Sequence, residues 1–153
     1  MKVAVLGTGA MGTGVARSLR FYEGVTGTVA MDPRVDAFGG LSDLPEIETT
    51  TDLNRVLSDP EIKLVFITAS NDMHPSLAIA ALEAGKSVMC EKPMANSLAD
   101  ATAMVEAAER NNAFLQIGFE LRYSLLYVQI KKWIDAGLLG EIVSVRCNYS
   151  DQR

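Results

Sequence analysis

Short apolar runs alternate along this chain with segments whose apolar residues recur every third or fourth position. The first run, Lys2–Leu6 (KVAVL), is almost wholly apolar and stops at Gly7, the pattern of a strand buried on both faces. Residues 11–22 predict a helix with Met11, Val15 and Leu19 on one face. Residues 28–31 (TVAM) predict a second strand ending at Asp32, and residues 52–58 a short helix capped by Thr51 or Asp52. A third strand is expected at 64–68 (LVFIT), then an apolar helix at 75–84 stopped by Gly85. Ser87–Cys90 (SVMC) reads as a strand. Residues 97–112 read as an amphipathic helix with Ser97 as N-cap and Asp100 three residues later. Residues 114–118 (FLQIG) predict a strand, and 124–136 a helix closed by Gly137. Residues 33–50 hold Gly39, Gly40 and two prolines and keep no period, so a loop with at most a short helix is expected.

Strands alternating with helices predict an α/β fold, a doubly wound parallel sheet of Rossmann type, over residues 1–140. The end of the chain changes character. Val143, Val145, Cys147 and Tyr149 alternate with Ser144, Arg146, Asn148 and Ser150. Period two predicts a one-sided strand over 141–150, unlike the fully apolar strands before it. A lone strand lacks a ladder partner. Its open edge and apolar face favour pairing with a second copy, giving a homo-oligomer, or folding back onto the same domain.

Composition narrows the function classes. The 153 residues are 48% hydrophobic, enough for one domain with a real core. Fourteen Lys+Arg against 19 Asp+Glu give a net charge of −5, which argues against a nucleic-acid partner. Acidity does not bar a phosphate-bearing cofactor, because backbone N–H groups hold phosphates without cationic side chains. Cys90 and Cys147 read as reduced, buried thiols of a cytoplasmic protein. A single histidine, His74, with two distant cysteines excludes an ordinary zinc site, so no metal is expected. No apolar run approaches the roughly 20 residues of a membrane helix, and none at the N-terminus makes a signal-peptide core before Gly7.

The candidate chemistry lies where strands end. Gly7-Thr8-Gly9-Ala10-Met11-Gly12 matches G-x-G-x-x-G directly after a buried strand and at the opening of a helix. In that context the first glycine makes the tight turn, the second admits a pyrophosphate and the third lets helix and strand pack closely. Asp32 lies 20 residues past Gly12 at the next strand end, the interval at which an acid binds the adenosine ribose. A carboxylate there favours NAD over NADP. Arg34, two residues on, reads either as a cation that accommodates a 2′-phosphate or as a solvated or adenine-stacking loop residue. Thr68, Ala69, Ser70, Asn71 and His74 follow the third strand at the edge where ligands bind; on spacing alone His74 is a helix-start residue. Glu91-Lys92-Pro93 leaves the same edge. Such a pair is either surface or, with Lys92 beside a nicotinamide, a group that polarises or deprotonates a substrate hydroxyl.

These elements together resemble the N-terminal domain of the Gfo/Idh/MocA oxidoreductases. The resemblance runs over nearly all of the chain. Its most specific element is Glu91-Lys92-Pro93, supported by Ala81-Leu82-Glu83-Ala84-Gly85-Lys86, Gly118-Phe119-x-x-Arg122-Tyr123 and Gly137-x-x-Gly140-Glu141-Ile142. The resemblance implies a dinucleotide site at residues 7–12 and Asp32, and a loop along the nicotinamide at Thr68, Ala69, Ser70, Asn71 and His74. It also implies a Glu91–Lys92 pair, with Lys92 close to nicotinamide and substrate, and Arg122 at the rim of the active-site cleft. Residues 141–153 are then expected to open a truncated second domain that carries the substrate. The expected activity is hydride transfer between NAD (NADP second) and a sugar or polyol-like alcohol, absent from this length of chain alone. A stand-alone, non-catalytic NAD(H)-binding module and a truncated relic are the alternatives.

Overall fold

The computed structural model describes residues 1–148. Its chain forms two compact units, Met1–Gly118 and a second that begins at Phe119. The first unit holds six parallel strands: β1 (Lys2–Leu6), β2 (Gly27–Met31), β3 (Ile47–Thr50), β4 (Ile62–Ile67), β5 (Ser87–Cys90) and β6 (Leu115–Ile117). Their order across the sheet is β3-β2-β1-β4-β5-β6. The strand order therefore reverses between β1 and β4, the switch point at which an open parallel sheet presents its ligand crevice.

Four helices belong to this unit: α1 (Ala10–Leu19), α2 (Leu53–Ser58), α3 (His74–Glu83) and α4 (Leu98–Arg110). Side chains alternate along each strand, and this splits the core in two. Ala4, Leu6, Val65, Ile67 and Val88 pack with Val56 of α2, Leu77 and Leu82 of α3 and Met104 of α4. Val3, Val5 and Ala30 pack on the opposite face with Ala16 and Leu19 of α1. Local chemistry sets the helix ends. The Asp52 carboxylate caps α2 by accepting the Asn54 N–H at 2.9 Å, and the Ser97 hydroxyl caps α4 by accepting the Asp100 N–H at 3.1 Å.

Four expectations need correction. Residues 33–50 contain a strand, β3, besides a 3₁₀ turn at Val35–Leu41. β3 pairs with β2 alone and reads IETT, too polar to show an apolar run. Met11 is exposed rather than part of the apolar face of α1; Gly12, Ala16 and Leu19 are the buried residues there. Residues 142–148 form no strand, and Val143 and Val145 are 90% and 81% exposed. Period two records a preference, whereas a strand also needs a partner strand to complete its ladder, and residues 142–148 pair with none. Tyr149 and Ser150 lie outside the described residues. Cys147, on that uncovered segment, is exposed, and only Cys90 is buried. The second unit holds a 3₁₀ turn, Glu120–Tyr123, and helix α5 (Leu125–Asp135).

Candidate functional site: one edge of the sheet

The register of the sheet brings most of the candidate residues into one row. Leu6 pairs with Met31 on one side and Ile67 on the other, Ile67 with Cys90, and Cys90 with Ile117. One more rung follows. The N–H of Gly7 donates to Met31 O at 2.8 Å, Thr68 to Leu6 O at 2.9 Å, Glu91 to Ile67 O at 2.9 Å and Gly118 to Cys90 O at 2.8 Å. Gly7, Asp32, Thr68, Glu91 and Gly118 therefore leave the sheet side by side.

The turn after β1 is built on backbone proximity. Gly7 has φ +92°, and a Cβ there would meet Ala69 N at 2.6 Å. Only glycine satisfies both constraints. A Cβ on Gly12 would lie 2.5 Å from Thr68 Oγ1. That hydroxyl is a brace: it donates to Gly7 O at 2.7 Å, joining two loops 61 residues apart. Gly9, by contrast, has open space around its Cβ position.

The site electrostatics centre on Asp32, which is 5% exposed. Its carboxylate accepts the Thr8 N–H at 3.0 Å and the Arg34 N–H at 3.0 Å, and Arg34 Nε stands 3.4 Å away. Burial pushes the carboxyl pKa up, but the two backbone donors and the Arg34 charge outweigh it and hold the value below the ordinary 3.8. Asp32 is therefore an anion fixed beside the glycine turn.

These features fit a dinucleotide. The exposed residues Gly9, Ala10 and Met11 begin α1, where N–H groups without intrahelical partners and the positive end of the helix dipole favour a pyrophosphate. A Cβ on Gly9 would occupy the space such a group needs. Thr8 Oγ1 is buried with no hydrogen-bond partner among the described residues, an unspent polar atom at the same turn. An apolar hollow of about 990 Å³ beside α1, lined by Val15, Leu64, Phe66 and Met89, lacks this polar chemistry.

Further along the row, Ser70 and Asn71 are exposed, and the Ser70 hydroxyl lowers the pKa of Asp72. His74 opens α3 at 1% exposure, with Nδ1 2.8 Å from Pro93 O and Nε2 3.1 Å from Ala69 O. Glu91 turns back so that Oε2 accepts the Lys92 N–H at 3.1 Å. A Cβ on Gly118 would come within 3.3 Å of Glu91 Oε1, so the glycine gives that carboxylate room. Lys92 is exposed, and its ammonium has no partner among the described residues. Cys90, next to this segment, is no nucleophile: burial, with the Glu91 charge, pushes its thiol up to about 12. Arg122 belongs to the second unit, where its guanidinium lies 5.5 Å from the Phe119 ring centroid. Sequence reasoning did not find the Thr68 brace or the His74 contact to Pro93, which join segments far apart in the chain.

A parallel sheet reversing at β1/β4, with a glycine turn after β1 and an acid after β2 on its carboxyl edge, is the pattern of a dinucleotide-binding Rossmann domain. The chain belongs to the Gfo/Idh/MocA oxidoreductase family with an NAD-binding Rossmann fold, whose sequence profile matches residues 1–119. It is 42% identical over 101 residues to the inositol 2-dehydrogenase of Salmonella typhimurium, covering 65% of this chain and 30% of that protein. It is 31% identical over 150 residues to the inositol 2-dehydrogenase of Rhodococcus jostii, covering 96% of this chain and 41% of that one. The crystal structure of myo-inositol 2-dehydrogenase from Lactobacillus plantarum superposes with a TM-score of 0.82 at 29% identity, over 94% of this chain and 43% of that one. The chain thus spans less than half the length of these relatives.

Proposed function

We propose that this chain is the cofactor-binding part of an NAD-dependent oxidoreductase acting on a CH–OH group of a sugar or polyol, with inositol-like cyclic polyols as the first substrate class. The shared edge carries the reading: the glycine turn, the Asp32 carboxylate and the Lys92 segment leave the sheet in one register row at the β1/β4 reversal. The substrate class is supported by the relatives named inositol 2-dehydrogenase.

Bound nicotinamide dinucleotide supplies the hydride chemistry itself. The chain supplies placement and charge. Amides of residues 7–12 hold the pyrophosphate. Asp32 accepts from the adenosine ribose hydroxyls and repels a 2′-phosphate, which favours NAD over NADP. Arg34, paired to that carboxylate, is drawn away from phosphate binding. Thr68, Ala69, Ser70, Asn71 and His74 form the wall on the nicotinamide side. Lys92 orients the substrate hydroxyl and exchanges a proton with it through Nζ. Arg122 is the second substrate-side residue. The period-two segment after Glu141 becomes the first strand of a substrate domain when a second sheet offers it an edge.

Calorimetry with NADH and NADPH tests the cofactor half of this reading. NADH is expected to bind more tightly. Tighter NADPH binding, or binding of neither, overturns it.

A further inference from the structure

We propose that His74 is a positioning residue whose imidazole clasps the Lys92–Pro93 segment to the start of α3, so that this loop on the nicotinamide side holds one arrangement. What that loop faces rests on the function proposed above; the clasp itself rests on geometry.

His74 is among the largest fully buried side chains of the chain. A leucine would fill the same space at no polar cost, whereas a buried ring nitrogen without a partner is expensive. Both nitrogens find partners, and both partners are backbone carbonyls, at Pro93 and at Ala69. Carbonyls only accept, so each contact is a hydrogen bond only when that nitrogen carries a hydrogen. A ring with one hydrogen holds one loop at a time, and the shorter contact, 2.8 Å from Nδ1, assigns it to Pro93. A ring with two holds both.

The ring is well placed for this role. It sits on the first residue of α3, whose Leu77, Ala78, Ala81 and Leu82 are anchored in the core, so its position is set by a helix and not by either loop. The Ala69 segment lies directly against Gly7, where a Cβ would meet its N at 2.6 Å. The glycine turn thus touches Ala69 through backbone atoms, and the His74 ring stands between Ala69 O and Pro93 O, next to Lys92. On the segment itself, Glu91 Oε2 accepts the Lys92 N–H, and the His74 ring reaches Pro93 O from another element.

The test compares NADH with ADP-ribose, which has the adenosine and pyrophosphate but no nicotinamide. Calorimetry on the protein, His74→Leu and His74→Asn reads both ligands. Asparagine places an amide donor near the position of Nδ1. Loss of the hydrogen bond to Pro93 O predicts about tenfold weaker NADH binding for His74→Leu. ADP-ribose should bind the variant as it binds the protein, and His74→Asn should recover most of the NADH affinity. Equal weakening of both ligands would mark a purely structural residue and overturn the proposal, as would unchanged NADH binding. His74 is the single histidine of the chain, so its ring nitrogens are unambiguous by nitrogen-15 NMR even where a variant fails to fold. A slowly exchanging hydrogen on Nδ1 supports the clasp, and an Nδ1 without hydrogen overturns it. Should the protein bind neither ligand, the dinucleotide reading falls and the clasp stands or falls on the Nδ1 signal.

Discussion

A Cβ on Gly12 would stand 1.8 Å from the carbonyl oxygen of Gly7, inside any permitted non-bonded distance. The two glycines that open and close the turn are thus in backbone contact, while Gly9 between them has nothing within 4 Å of its Cβ position. Gly12→Ala must push α1 away from β1 and is expected to cost about 1–3 kcal/mol or more of stability. Gly9→Ala should leave stability within about 0.5 kcal/mol yet weaken NADH binding, because its methyl occupies the pyrophosphate space. Urea unfolding and calorimetry on both variants separate the two roles.

The Asp32 carboxylate holds the Thr8 and Arg34 amides, and the proposed function gives it the ribose hydroxyls as well. Asp32→Ser is expected to narrow or reverse the preference for NADH over NADPH, measured as the ratio of the two dissociation constants. It also takes an acceptor from the Thr8 amide, a loss of about 1–3 kcal/mol where no new partner is found. A ratio unchanged by the substitution would move cofactor selection away from this residue.

What could be read from the sequence follows how local each interaction is. Residues 7–12 and Asp32 were legible because the turn, the helix start and the next strand end are consecutive in the chain. Strands β1, β4 and β5 were legible because neighbours on both sides keep them apolar. β3 was not, because an edge strand needs only Ile47 and Thr50 buried. The segment from Glu141 was over-read for the opposite reason: its alternation is genuine, but a ladder requires a second strand. The Thr68 brace and the His74 contact to Pro93 bridge 61 and 19 residues. They depend on the sheet register that sets those loops side by side, and no local pattern encodes it.

The acid limb of stability should depend on a pair far from the cofactor edge. Arg17 of α1 grips Asp43 with two hydrogen bonds, at 2.7 and 2.8 Å. The guanidinium lowers the Asp43 carboxyl from 3.8 to about 2. A depressed folded-state value means that the unfolded chain binds the proton more readily. The contribution is therefore fully present above the unfolded value near 3.8 and is lost as pH falls through about 2. Asp43→Asn should flatten the fall in urea midpoint between those limits and lower the neutral-pH midpoint by the same amount, a small one because the pair is exposed. A slope unchanged by the substitution would mean the pair has no share in acid unfolding.

Lys92 offers the sharpest contrast between stability and activity. It is exposed, and its ammonium makes no ion pair or hydrogen bond among the described residues. Lys92→Ala should therefore leave the unfolding midpoint within about 0.5 kcal/mol of the parent. NADH affinity should also change little, because the proposed function assigns the adenosine half to the turn and Asp32. Turnover of a polyol, measured in a protein that includes the substrate-binding part, should fall about 10²–10⁴-fold if the lysine assists proton transfer. That loss should appear in kcat more than in KM, since the interaction strengthens as charge develops on the substrate oxygen. Lys92→Arg keeps the charge but not an exchangeable proton at neutral pH. Arginine restoring full turnover would reduce the role to electrostatic orientation, and alanine leaving kcat intact would remove Lys92 from the chemistry.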